Sequence, residues 1–141
     1  MRFFFYGTLR DRDVRAFVLG PDSDTWTVTA AVLRGWRAAV VAGRTYPAAV
    51  PRRGAVSDGI VIDGIGEGAL SRLLAYEGPE YLLRRLDVEV AGRGRFCETA
   101  PAFVFAASRD CVVSPAAWRF DEWRRRHRMS VLRAFRAGRR P

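Results

Sequence analysis

Apolar positions along this chain switch repeatedly between strand-like and helix-like spacing, and each switch marks an element. Residues 2–6 are an apolar, aromatic run that stops at Gly7, which predicts a buried strand. Residues 11–19 place Val14, Phe17 and Val18 on one helical face, and Gly20-Pro21 ends that helix. Trp26 to Leu33 is rich in β-branched residues and predicts a strand. A turn signal at Gly35 separates it from a second strand, Arg37 to Val41. Gly43 to Pro47 reads as a loop in which Tyr46, preceding a proline, is held extended. Gly59 to Ile62 is a further strand, closed by Gly64 and Gly66.

Residues 67–77 carry the clearest helical period. Leu70, Leu73, Leu74 and Glu77 share one face, and Gly78-Pro79 ends the helix. Leu82 to Val90 alternates, with Leu86, Val88 and Val90 opposite Asp87 and Glu89. Phe96 to Ala107 is the last strand. Ser114-Pro115 has the form of a helix start, a capping hydroxyl before a proline. Phe120, Trp123, His127, Val131 and Phe135 then trace an apolar stripe along a basic amphipathic helix over about residues 114–137. Many strands and few helices predict an α+β fold, built on a curled, largely antiparallel sheet or a small barrel, as one domain over residues 1–141.

Composition narrows the class. Of the 141 residues, 49% are hydrophobic and 28% charged, which suits a packed core and not a disordered chain. No apolar run reaches the ~18 residues of a membrane-spanning helix, and the apolar start is too short for a signal peptide. A cytoplasmic protein is expected. Cys97, Cys111 and a single histidine make neither a disulfide framework nor a metal-ligand set. All 24 basic residues are arginines, and they are unevenly placed. Residues 119–141 hold nine of them against Asp121 and Glu122, whereas residues 1–118 come to only +2. The aromatic residues of this basic segment follow the buried stripe, so nucleic-acid binding is not expected. Trp118, Phe120 and Trp123 are read as anchors of the last helix, and His127 as a packed histidine.

Two features point to chemistry. Glu77 occupies the core-facing position of a leucine-lined helix face. A buried carboxylate must find a cation, take a proton or line a cavity. The helical pattern therefore supports both an ion pair with Arg84 or Arg85 and a general acid/base. Tyr6-Gly7-Thr8-Leu9 follows the first strand directly. It suits an ordinary strand-to-helix turn, and equally a loop whose backbone N–H groups face a ligand. Tyr46 fits either a pocket wall or a Tyr-Pro turn.

Phe5-Tyr6-Gly7-Thr8-Leu9-Arg10 resembles the opening motif of the gamma-glutamylcyclotransferase-like family. Gly35 with Tyr46-Pro47-Ala48, then Leu74-Ala75-Tyr76-Glu77-Gly78-Pro79-Glu80-Tyr81, then Ala102-Phe103-Val104-Phe105 are similar to further family motifs in the same order. The resemblance covers about residues 2–107 and leaves the 114–137 helix outside the family's core. It implies a small mixed β-barrel with flanking helices and no cofactor or metal. Glu77 would be the catalytic acid/base, and the backbone of Tyr6, Gly7, Thr8 and Leu9 would hold a gamma-glutamyl group, with Tyr46 and Tyr81 beside it. The implied reaction is intramolecular, releasing 5-oxoproline and an amine. That amine is not identified; a free amino acid, a peptide such as glutathione, a lysine side chain and a polyamine all fit. The family's basic residue after the tyrosine matches Arg84 or Arg85. Glu80, beyond the Gly78-Pro79 break, is expected outside the cavity. A monomer or weak dimer is expected. A domain of the same fold that binds small molecules without turnover is the alternative.

Overall fold

The computed structural model describes residues 1–92 and 97–139. Five strands close into a barrel: β1 (Phe3–Phe5), β2 (Val28–Val41), β3 (Pro47–Ile62), β4 (Tyr81–Ala91) and β5 (Cys97–Ala107). The order round the ring is β1-β3-β2-β4-β5 and back to β1. β1 is parallel to β5, and the other neighbouring pairs of the ring are antiparallel. The fold is the mixed, largely antiparallel barrel that the apolar pattern implies. A sixth strand, β6 (Val113–Ala117), lies along the edge of β2. Four helices flank the barrel: α1 (Arg12–Leu19), α2 (Glu67–Glu77), α3 (Phe120–Arg126) and α4 (Arg128–Arg136).

Side-chain alternation divides the core into two. Phe4, Leu33, Val61, Val88 and Val104 fill the barrel interior. Phe3, Phe5, Ile62 and Phe105 point outward into a second core beneath the helices, with Leu73, Trp123 and Leu132. β1 is buried on both faces, which is why its sequence is an unbroken aromatic run rather than an alternating one.

Several elements differ from the sequence-based expectation. Gly35 does not separate two strands. β2 runs through it with a register shift between Arg34 and Trp36, and Gly35 takes a φ of 81°. The turn signal is a β-bulge, whose left-handed residue glycine supplies without strain. β3 begins at Pro47, well before Gly59, and pairs with β2 along most of its length. Pro51 to Gly54 are exposed, so no alternation marks that part of the strand. In α1, Val14, Val18 and Leu19 are buried, while Phe17 is outside and stacks on Phe135 at 5.4 Å. α2 has the expected bounds, but its buried residues are Ala69 and Leu73, and Leu74 is half exposed.

The C-terminal region is corrected most. Val113–Ala117 is a strand and not the start of a helix, pairing Ala39 with Ala117 and Val41 with Val113. Ser114 Oγ still accepts the Ala116 N–H at 3.1 Å, so the local Ser-x-x turn chemistry survives without a helix behind it. The helical part is two helices that meet at His127, whose φ is −124°. The apolar stripe nevertheless holds. Trp123 and Val131 are buried together with Leu132, and the Trp118, Phe120 and Trp123 rings pack within 6.4 Å of one another. Phe96, expected to open β5, and the side chain of Cys97 lie outside the described residues. Among the described residues no helix is long and apolar enough to cross a membrane.

Candidate active site

The site begins where β1 ends. β1 lies between β3 and β5, and past Phe5 those two strands approach each other at Ala49 and Ala106. Tyr6 fills the gap. Its hydroxyl accepts the Ala49 N–H at 2.9 Å and donates to the Phe105 carbonyl at 2.5 Å. The phenol thus stands in for a missing stretch of backbone ladder. Burial, reinforced by the nearby Glu77 charge, holds its pKa well above the usual range.

Beyond Tyr6 the chain makes a 3-10 turn over Thr8–Arg10. The Arg10 N–H bonds to the Gly7 carbonyl at 3.1 Å and the Asp11 N–H to the Thr8 carbonyl at 3.0 Å. Peptide N–H and C=O groups point in opposite directions. With the Gly7 and Thr8 carbonyls turned down the chain, the Thr8 and Leu9 N–H groups face the other way and have no backbone acceptor among the described residues. Asp11 then caps α1, accepting the Asp13 and Val14 N–H groups.

Facing this loop is the C-terminus of α2. The helix ends at Glu77, and Gly78 takes a φ of 68°. The turn that follows is tied to the end of β5, since Ser108 Oγ donates to the Pro79 carbonyl and the Ser108 N–H to that of Glu80. Among the described residues none forms an ion pair with Glu77. Desolvation raises its pKa from 4.5 to about 8. Its place at the negative end of a helix acts in the same direction. Glu77 is half-buried and lines a cavity.

The third wall comes from the β2–β3 connection. Trp118 Nε1 holds the Thr45 carbonyl at 2.8 Å, and the Tyr46 hydroxyl donates to Glu80 Oε2 at 2.9 Å. Burial first, and the Glu80 carboxylate second, raise the Tyr46 pKa. Tyr81 donates to the Pro47 carbonyl at 2.7 Å. The Pro47 ring abuts Gly7, where an added Cβ would lie 3.0 Å from Pro47 Cγ.

These walls enclose a cavity of about 310 Å³. Tyr6, Gly7, Thr8, Leu9, Tyr46, Glu77 and Tyr81 all line it, so the structure brings together every candidate named from the sequence. Tyr6 contributes ring surface only, because its hydroxyl is committed to the backbone. Glu80, expected elsewhere, also lines the cavity; the tight Gly78-Pro79 turn folds it back instead of carrying it away. Neither Arg84 nor Arg85 does. Both are exposed, and Arg84 lies over the Trp36 ring at 5.5 Å. The cation at the cavity is Arg44, which sequence reasoning missed. Its only signal is its place in the loop that carries Tyr46.

The arrangement puts the Thr8 and Leu9 residues and a carboxyl whose pKa burial raises to about 8 around one cavity. Such a site can bind a carboxylate or stabilise an oxyanion while moving a proton. Comparison with known proteins places the chain by family and fold. The AIG2-like protein A of Arabidopsis thaliana is 28% identical over 132 residues, covering 94% of this chain and 77% of that protein. The solution structure of another Arabidopsis thaliana protein is similar with a TM-score of 0.67 at 26% identity, over 95% of this chain and 87% of that one. A yeast gamma-glutamyl cyclotransferase specific to glutathione shares the fold at a TM-score of 0.56 and 14% identity, over 83% and 73% of the two chains. The family profile "Gamma-glutamyl cyclotransferase, AIG2-like" matches residues 3–125, through β6 and most of α3, and the chain belongs to that family.

Proposed function

We propose that this protein cyclises a gamma-glutamyl amine or peptide to 5-oxoproline and a free amine. The reading is supported by one observation: Glu77, which forms no ion pair among the described residues, lines one cavity together with Thr8 and Leu9. The nucleophile belongs to the substrate, so no activated serine or cysteine is needed. The substrate's α-ammonium gives a proton to the Glu77 carboxylate. The freed amine attacks the side-chain carbonyl carbon, and the five-membered ring forms with an oxyanion. Glu77 returns its proton to the leaving nitrogen as the carbon–nitrogen bond breaks. The ring nitrogen passes its second proton to the departing amine, which leaves as an ammonium. A carboxyl with a pKa of about 8 is suited to both transfers. The walls hold the substrate folded so that its amine and carbonyl meet.

Incubation with a panel of gamma-glutamyl amines and peptides, followed by detection of 5-oxoproline, tests the reading. Release that disappears in Glu77→Gln supports it. Ligands that bind with no release from any of them refute the enzymatic reading and leave a binding domain of the same fold.

A further inference from the structure

We propose that Arg15 is a positioning residue of this site, acting on the Thr8 and Leu9 amides through two short chains of peptide groups. The proposal rests on the reading of the Gly7–Leu9 loop as the grip for an anionic substrate group. Arg15 lies in α1, behind the loop, and is only 8% exposed. Its Nη1 atom alone donates to two carbonyls, Leu9 at 2.9 Å and Arg10 at 2.7 Å.

Each of those carbonyls belongs to a peptide group whose N–H bonds onward. The Leu9–Arg10 peptide donates from Arg10 to the Gly7 carbonyl at 3.1 Å. That carbonyl shares its peptide with the Thr8 N–H. The Arg10–Asp11 peptide donates from Asp11 to the Thr8 carbonyl at 3.0 Å. That one shares its peptide with the Leu9 N–H. Both chains therefore start at one buried cation and end at the two unpartnered amides. The dipoles along each chain are aligned, and a hydrogen bond to one end of a peptide strengthens the donor at its other end. The cation thus adds positive potential where a carboxylate or oxyanion would sit.

Asp11 and Asp24 favour the Arg15 charge through space, but among the described residues neither forms an ion pair with it. Asp11 Oδ1 is taken by the α1 cap and its Oδ2 by Arg128 Nε at 2.7 Å. Asp24 is held by Arg12 at 2.9 and 3.1 Å. What remains for Arg15 is the loop. A single donor atom makes both bonds, so a lysine ammonium can reproduce them. A glutamine can donate but brings no charge.

The test compares Arg15→Gln with Arg15→Lys in the full chain. For a productive gamma-glutamyl substrate, Arg15→Gln raises KM about tenfold with little change in kcat, the pattern for an anionic group held equally in ground and transition states. Arg15→Lys restores KM to within about threefold. A merely structural role would lower the melting temperature in both variants without this split. Nuclear magnetic resonance gives a readout that needs no turnover. The Thr8 and Leu9 amide protons shift upfield in Arg15→Gln and return in Arg15→Lys, and in the wild type they shift downfield when 5-oxoproline is added. Unmoved Thr8 and Leu9 signals in either experiment overturn the proposal, and the wild-type titration can still overturn it if Arg15→Gln does not fold. Absence of 5-oxoproline from every substrate, with the amide shifts as expected, refutes the cyclase reading and leaves the Arg15 chains standing.

Discussion

Glu77→Gln separates a desolvated carboxyl from an ion-paired one by the sign of its effect on stability. In the unfolded chain Glu77 titrates near 4.5, and in the folded protein at about 8. The folded state binds the proton more tightly. The stabilisation from that proton is therefore complete below pH 4.5 and is lost as pH rises through about 8. At 1.36 kcal/mol per pH unit, the charged carboxyl costs the fold at most about 5 kcal/mol, and water in the cavity reduces this. Glutamine removes the penalty. At pH 5, where wild-type Glu77 is protonated, the variant melts within a degree or two of wild type; at pH 9 it melts higher, by about 2–4 °C for each kcal/mol. An ion-paired glutamate behaves oppositely, with a loss of roughly 3–5 kcal/mol at neutral pH. Melting followed by circular dichroism at both values reads the difference. In parallel, kcat/KM for 5-oxoproline release rises with pH through about 8 in the wild type. In the variant it falls by ~10²-fold or more. Equal destabilisation at pH 5 and pH 9 would refute the reasoning, as would full turnover.

Three further outcomes follow from the walls of the cavity. Gly7→Val presses its branches against Pro47 Cγ and Cδ, 3.0 and 3.3 Å from an added Cβ. The protein should fold with a loss of about 1–3 kcal/mol while KM rises more than about tenfold; an unchanged KM removes the loop from the site. Tyr6→Phe leaves the buried Ala49 N–H and Phe105 carbonyl without their partner. It should lower stability by about 1–3 kcal/mol in chemical denaturation with little change in KM, and an unaltered midpoint would contradict the bridging role. Glu80→Gln keeps an acceptor for the Tyr46 hydroxyl. Stability should hold within about 0.5 kcal/mol, and turnover should fall far less than in Glu77→Gln; an equal loss would make Glu80 the proton carrier.

What the sequence discloses and what it hides have separate physical causes. The end of α2 is legible because Gly78-Pro79 stops a helix by local chemistry alone, and Glu77 stands at that stop. The phase of α2 is not, since three leucines outweigh Ala69 in any hydrophobic count, yet Leu74 faces water. β6 is misread because Ser114-Pro115 is a sound local helix signal, overridden by a free edge on β2 that only the folded barrel presents. The Gly7–Leu9 loop and Glu77 are visible as motifs. Arg44 and Glu80 are not, because what places them is the β2–β3 connection folding over the end of α2, a contact between residues 34 positions apart. Arg15 is hidden for a similar reason. A buried arginine bonded to carbonyls looks, in sequence, like any arginine on a helix.

β1 also fixes when the molecule can be completed. Residues 3–5 leave the ribosome well before their partners, residues 60–62 on one side and Phe103 on the other. The nascent chain can assemble the β2–β3 hairpin early from neighbouring residues. The slot for β1 exists only after β5 has emerged. Ring closure therefore waits on the longest separation among the strand pairings, the kind of pairing that makes folding slow. Until it occurs, the aromatic β1 lacks one of its partners, a hazard for self-association during synthesis. Tyr6 links Ala49 to Phe105 only once the ring is shut, so no nascent chain that lacks β5 contains the cavity.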